Sequence, residues 1–314
     1  MKYFIKRLFI FLSIPIVILT VVFIAVPETP RSEKSLLFSK LDKDYLLRNT
    51  SAPRLILMGG SNLSFGIDSS MLEQELGITP INTAIQATIG TYYIMDTILD
   101  NVQTGDILVM SIEYSQYFGR HAYGGEELLR TVMDVDRSTI NKLRPNQWLN
   151  LIVYFPKYSI SKIKPTEYIL KENIEIGIYE RESFNQYGDA VVHWGHNHSD
   201  FPPYDRIEGR FNHKFIKDLL IFEQQVEGLD ATLYITFPGL QETTFQIMED
   251  QIRKVESELI KNGFNLLGTP DRYMITELLM YNTPYHLNRE GVVYRTGLLI
   301  EDLQAAGIIP GESE

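Results

Sequence analysis

Five short strand-like runs, at 54–59, 78–83, 107–112, 231–237 and 264–267, alternate along the chain with stretches of helical periodicity, and this alternation leaves few folds open. A run of that length without polar interruption reads as a strand buried on both faces. Between the runs, 67–77 opens on capping residues and closes on Gly77. Residues 88–102 carry a helical stripe of Ile89, Tyr92, Tyr93, Ile94, Ile98 and Val102. Helices are also expected at 213–226, 244–262 and 291–306. The order predicts an α/β fold: a three-layer, doubly wound, parallel five-stranded sheet. From 114 to 210 the pattern dissolves, with helical stretches around 126–133, 146–152 and 158–163. We read this as a long insertion after the third strand, placed to form a lid or a substrate wall.

Lys2, Lys6 and Arg7 precede an uncharged run at 8–26, long enough at 1.5 Å per residue to cross a hydrocarbon layer of about 30 Å. The run exceeds a signal-peptide core, and Ile24-Ala25-Val26-Pro27 is not a small-x-small cleavage site, so a retained single-pass anchor is expected. Basic residues ahead of the span keep the N-terminus cytoplasmic and place the rest on the extracytoplasmic side. The domains are then an anchor at 1–27, a polar connector at 28–52 with one short helix near 36–47, and a folded domain at 53–314. A net charge of −11 argues against nucleic acid as a partner, and the lack of cysteine excludes disulfides, zinc thiolates and a cysteine nucleophile.

Two stretches carry chemistry. In Gly59-Gly60-Ser61-Asn62 the glycines let the backbone turn sharply at the end of a strand, so the Ser61 hydroxyl can stand in the crevice where open sheets bind ligands. The alternative is a strand-to-helix turn with Ser61 or Asn62 as its cap. Far downstream, His286 lies in a loop before the last helix, where it can accept the Ser61 proton or simply pack. A third cluster, His193, His196 and His198, has the wrong spacing for one helix face and reads as solvated loop histidines, with no metal and no cofactor expected. Phe201-Pro202-Pro203-Tyr204 either lines a sugar groove or packs.

Together, Gly59-Gly60-Ser61-Asn62 and Tyr285-His286-Leu287-Asn288-x-x-Gly291 resemble the first and last blocks of the SGNH (GDSL-type) hydrolase superfamily, over about 54–306 apart from the insertion. The resemblance implies an SGNH/flavodoxin-like sheet, Ser61 as nucleophile and His286 as general base. It also implies a backbone oxyanion donor in the loop 82–87, with Ala87 where glycine is usual. Asn62 and Asn282 become oxyanion or orienting candidates. Three positions depart from the family. Gly60 replaces an aspartate. Glu113 stands where an asparagine donates to the oxyanion, and an ionised carboxylate cannot donate. Thr283 replaces the acid before the histidine, leaving Asn282 as a neutral partner for the ring. Asp271, Glu277 and Glu113 are the acids to look for behind His286.

The sequence more loosely resembles membrane-anchored SGNH-like proteins that act on cell-envelope or exported polysaccharides beside a membrane-bound O-acyltransferase. That implies an esterase or O-acyltransferase working through an acyl ester of Ser61, with an acyl ester or polysaccharide as substrate. The competing expectation is a catalytically silent relative that binds a glycan or serves the acyltransferase as an accessory. A metallohydrolase built on the histidine cluster is a third.

Overall fold

The computed structural model describes residues 1–169, 176–196 and 198–308. The chain opens with α1 (Lys2–Ala25), a helix apolar and long enough to cross a membrane. After it come α2 (Ser39–Asn49), β1 (Arg54–Gly59), α3 (Ser69–Leu76), β2 (Thr79–Asn82), α4 (Thr91–Ile98) and β3 (Ile107–Ser111). Past the insertion follow α7 (His213–Glu227), β4 (Thr232–Thr236), β5 (Leu240–Gln241), α8 (Glu242–Lys261), β6 (Leu266–Leu267), β7 (Met274–Ile275) and α9 (Arg289–Ala305). Within the insertion lie α5 (Pro145–Leu151) and α6 (Phe155–Lys162).

The fold is α/β around a parallel five-stranded sheet in the order β2-β1-β3-β4-β6. Every residue of β1 is buried. Leu55 and Leu57 enter one cluster with Leu72, Leu76, Leu299 and Leu303, while Ile56 and Met58 enter another with Met95, Phe215, Phe222 and Ile252. Strict alternation between two cores is why the strand reads as continuously apolar. Asp68 caps α3 through the N–H groups of Ser70 and Met71, and Gly77 ends it with φ 66°, a conformation that favours glycine. The chain runs from β1 outward to β2 and back to β3 on the other side. The crevice over the carboxyl ends of β1 and β3 is therefore the topological switch point, where open α/β sheets bind ligands.

Four expectations are corrected. The stretch 28–52 is not a polar connector: Leu36, Leu37, Phe38 and Leu47 are buried, and so is Lys43. Its ammonium donates to the carbonyls of Asn82 (2.9 Å), Ala84 (2.6 Å) and Gly188 (2.6 Å) and lies over the Phe184 ring. Burial brings its pKa down to about 7, opposed by Asp189. A lysine so used is indistinguishable in sequence from a solvated one. Second, the stretch 114–210, where the periodic pattern dissolves, shares a core with the rest of the domain: Leu128, Leu129, Val132, Leu151 and Tyr158 pack with Leu36, Leu37, Ile85 and Ile89. Third, the helix expected at 88–102 is shorter, starting after Gly90, whose φ is 88°. Fourth, β5 and β7 form a small parallel pair that the sequence does not announce, since two-residue strands carry no periodicity.

Candidate active site

Ser61 is the first residue of a single helical turn, Ser61–Ser64, that follows β1, and Glu113 comes two residues after β3. Adjacent parallel strands thus deliver a hydroxyl and a carboxyl to the same crevice. The Ser61 hydroxyl donates to Glu113 Oε1 at 3.3 Å, and the Asn62 N–H reaches the same oxygen at 3.4 Å. Burial raises the Glu113 pKa above the usual carboxylate range, opposed by these hydrogen bonds and by the charge of Arg295.

Gly60 lies between two walls of the site. A Cβ there would stand 2.8 Å from Glu113 Oε1, 2.8 Å from Ala87 Cβ and 2.9 Å from the Ala87 nitrogen. No side chain fits at this position, so the backbone of Gly60 approaches Ala87 and Glu113 more closely than any other residue would allow. Ala87 begins a short 3-10 turn, Ala87–Ile89. The loop before it is pinned by Lys43 and by the Ser64 hydroxyl, which donates to the carbonyls of Ala84 (2.6 Å) and Ile85 (3.1 Å).

His286 is buried and stacked on Phe65, ring centroids 4.4 Å apart at 16°. Its Nδ1 lies 2.9 Å from Asn282 Oδ1, and the Asn282 amide nitrogen donates to the Tyr179 hydroxyl at 2.8 Å. Because Asn282 presents its oxygen, Nδ1 carries the proton and Nε2 is left as a base. Burial, with a smaller contribution from His193, pushes the His286 pKa down to about 3, so the ring is neutral across the physiological range.

Ser61, Ala87, Glu113 and His286 line one cavity of about 280 Å³, walled by Phe65, Tyr179, Tyr204 and Tyr285. Tyr179 and Tyr204 come from the insertion. Among the described residues no hydrogen bond joins Ser61 to His286; the serine proton faces Glu113. Asp271 pairs with Arg253, and Glu277 accepts from Gln241 and Thr243, so neither stands behind the imidazole.

The structure corrects Asn62 as an oxyanion or orienting side chain. Its amide donates to the Ser111 carbonyl at 3.2 Å and accepts from the Ser111 hydroxyl at 2.8 Å and from Arg295 at 3.1 Å. It braces β1 to β3 and α9, and only its backbone N–H faces the site. Arg295 itself is buried, donates also to the Asn62 carbonyl, and has its pKa brought down to about 10 by burial. Its signal was in the sequence: Arg295 occupies an apolar-stripe position of α9 with Val292, Leu299 and Leu303.

The histidine cluster also needs correction. His193 is buried, not solvated, among Phe65, Trp194 and Tyr281, with its pKa pushed down to about 4 by burial. His198 Nδ1 lies 3.0 Å from the Met280 carbonyl, and His196 is exposed. Among the described residues no group of three or more His, Asp or Glu is placed to hold a metal ion.

No protein-family model matches the chain, and no curated protein matches it. Among solved structures the chain is similar to the crystal structure of Bacillus subtilis protein YxiM, at 12% sequence identity and a TM-score of 0.37. That similarity covers 82% of this chain and 58% of YxiM, so the chain spans less than two thirds of that protein's length.

Proposed function

We propose that the chain is a membrane-anchored, outward-facing enzyme of the SGNH type, forming and resolving an acyl ester on Ser61. The observation that carries this reading is one cavity at the switch point holding a strand-end serine, a neutral imidazole whose Nδ1 is occupied by Asn282, and the Ala87 backbone beside a side-chain-free Gly60. In the reaction, the Ser61 hydroxyl turns from Glu113 to His286 Nε2, which takes the proton as the oxygen attacks an acyl carbonyl. The backbone N–H groups of Ser61 and Ala87 receive the developing oxyanion. The imidazolium then protonates the leaving alcohol, and water or a sugar hydroxyl resolves the ester. The aromatic walls suit a pyranose ring, which supports an envelope or exported polysaccharide as the substrate class. A membrane-bound O-acyltransferase is the proposed neighbour if the step is transfer rather than hydrolysis.

Glu113 sets the pH dependence. As a carboxylate it holds the serine proton and repels an oxyanion; as a neutral acid it supplies the O–H donor that an asparagine side chain would give. Its pKa is raised while that of His286 is lowered, so a window exists, below the first and above about 3, in which acid and base are both neutral. Activity should therefore rise as pH falls through the Glu113 pKa. Glu113→Gln, which cannot ionise, should flatten that rise and increase turnover about tenfold at pH values above the Glu113 pKa, read from kcat against pH. Asn282→Asp should restore a charge behind the ring, raise the basicity of Nε2 and speed acylation by roughly 10–100-fold.

The test is labelling of the full-length protein by a fluorophosphonate, with the adduct located by mass spectrometry. Modification at Ser61 is expected. A second reading, a silent glycan-binding or accessory protein, is favoured by the serine proton facing Glu113 and by the missing acid behind His286. It predicts no labelling, together with saturable binding of an acetylated polysaccharide.

A further inference from the structure

The helices α5 and α6, joined through Ile152–Tyr154, are apolar on two sides. One side enters the shared core through Leu151 and Tyr158. The other presents Leu149, Ile152, Val153, Ile160 and Ile163, each between 46% and 70% exposed. Leu149 lies on α5, Ile152 and Val153 in the 3-10 turn, Ile160 on α6 and Ile163 just past its end, so exposed aliphatic side chains recur along the whole α5–α6 segment. A contiguous exposed stripe of large aliphatic residues on a folded domain marks a surface that something else covers.

What covers it is indicated by the neighbour of α6. Phe23 of α1 stacks on Phe155, centroids 4.5 Å apart, and meets Tyr158 edge-on at 5.5 Å. The Lys162 ammonium donates to the Pro27 carbonyl at 2.9 Å. Phe23 lies two residues from the end of α1. A helix of that length extends about 36 Å, against a hydrocarbon layer of about 30 Å. The last turn of the span is therefore at the boundary between hydrocarbon and headgroups, and α6 is fastened to that turn.

We propose that the stripe on α5 and α6 is a second membrane contact, immersed in the outer boundary of the bilayer beside the span, in the manner of an interfacial helix. The inference rests on α1 being held in the membrane, as the proposed function requires. Its consequence concerns the site. The same core that touches Phe23 also contains Leu36 and Ile85, which line the cavity with Ser61. The domain is thus seated on the bilayer by two contacts, at a fixed orientation, and does not swing on a flexible stalk.

The chain has no cysteine, so single introduced ones can be labelled uniquely. Val153→Cys, Ile160→Cys, Ile14→Cys in mid-span and Ile260→Cys on α8 would each carry an environment-sensitive fluorophore. The full-length protein is reconstituted in phosphatidylcholine vesicles with and without doxyl-labelled lipid. Expected are blue-shifted emission at 153 and 160 and quenching there several-fold stronger than at 260, which stays water-like. Water-like emission at 153 and 160 with quenching at 14 would overturn the second contact and leave the anchor standing. Water-like emission at 14 as well would overturn both. Blue-shifted emission at 153 and 160 that doxyl lipid does not quench would mean that protein, such as a second copy, covers the stripe, and would overturn the lipid assignment.

Discussion

Ser61→Ala should remove fluorophosphonate labelling altogether and lower the rate on an acyl ester probe by at least about 10³-fold, with little change in stability. The loss is large because the serine and threonine hydroxyls of the adjoining turn and loop are engaged elsewhere. The Ser64 hydroxyl faces the Ala84 and Ile85 carbonyls, and that of Thr83 donates to the Leu57 carbonyl. The change in stability is small because the serine is only half-buried and its one hydrogen bond, to Glu113, is long. Thermal unfolding of the variant alongside the labelling assay separates a lost nucleophile from a lost fold. Labelling retained in Ser61→Ala would place the reactive group elsewhere and end the catalytic reading.

The largest effect on stability should come from Asp106→Ala. At the start of β1, Arg54 is fully buried, its Nε 3.0 Å from Asp106 Oδ1 and its Nη2 2.5 Å from Oδ2. The same guanidinium also donates to the carbonyls of Leu47, Thr50 and Asn101. Removing the carboxylate leaves a buried cation without its counter-charge, which typically costs about 3–5 kcal/mol, a large share of the 5–15 kcal/mol that holds a domain folded. Denaturant unfolding measures it. Replacing both partners by apolar residues of similar size, Arg54→Met with Asp106→Leu, should cost distinctly less than Asp106→Ala alone, because no charge is then stranded. Equal losses in the two variants would mean that packing, not charge, governs this corner.

The strands were legible where a run buried on both faces is mostly aliphatic, as at Leu55–Met58 in β1 and Ile107–Met110 in β3; β2 and β4 carry the mark more weakly, with Thr79 and Thr232 exposed at their starts. Ser61 and His286 could be singled out because each stands at a boundary between elements, the serine directly after Gly60 and the histidine two residues after Pro284. The partners of those groups are another matter. That Asn282 is oriented by Tyr179, 103 positions away, is a property of the folded insertion that no local pattern encodes. The reading of Glu113 as an ionised residue took its ordinary pKa for granted; burial is what raises it, and burial of a single glutamate after a strand is not written in its neighbours. Asn62 misled for the opposite reason. A polar residue beside a candidate nucleophile invites a chemical role, whereas here it satisfies Arg295 and Ser111 in the interior.

Lys43 has a practical bearing on where the folded unit starts. Composition draws a border at Pro53, yet the ammonium on α2 collects three carbonyls, two of them in the loop leading to Ala87. A soluble fragment cut at Pro53 would discard the clamp on its own oxyanion loop and expose Ile85 and Ile89 where Leu36 and Leu37 had covered them. A fragment cut at Pro27 keeps both, and with them the fastening of the loop.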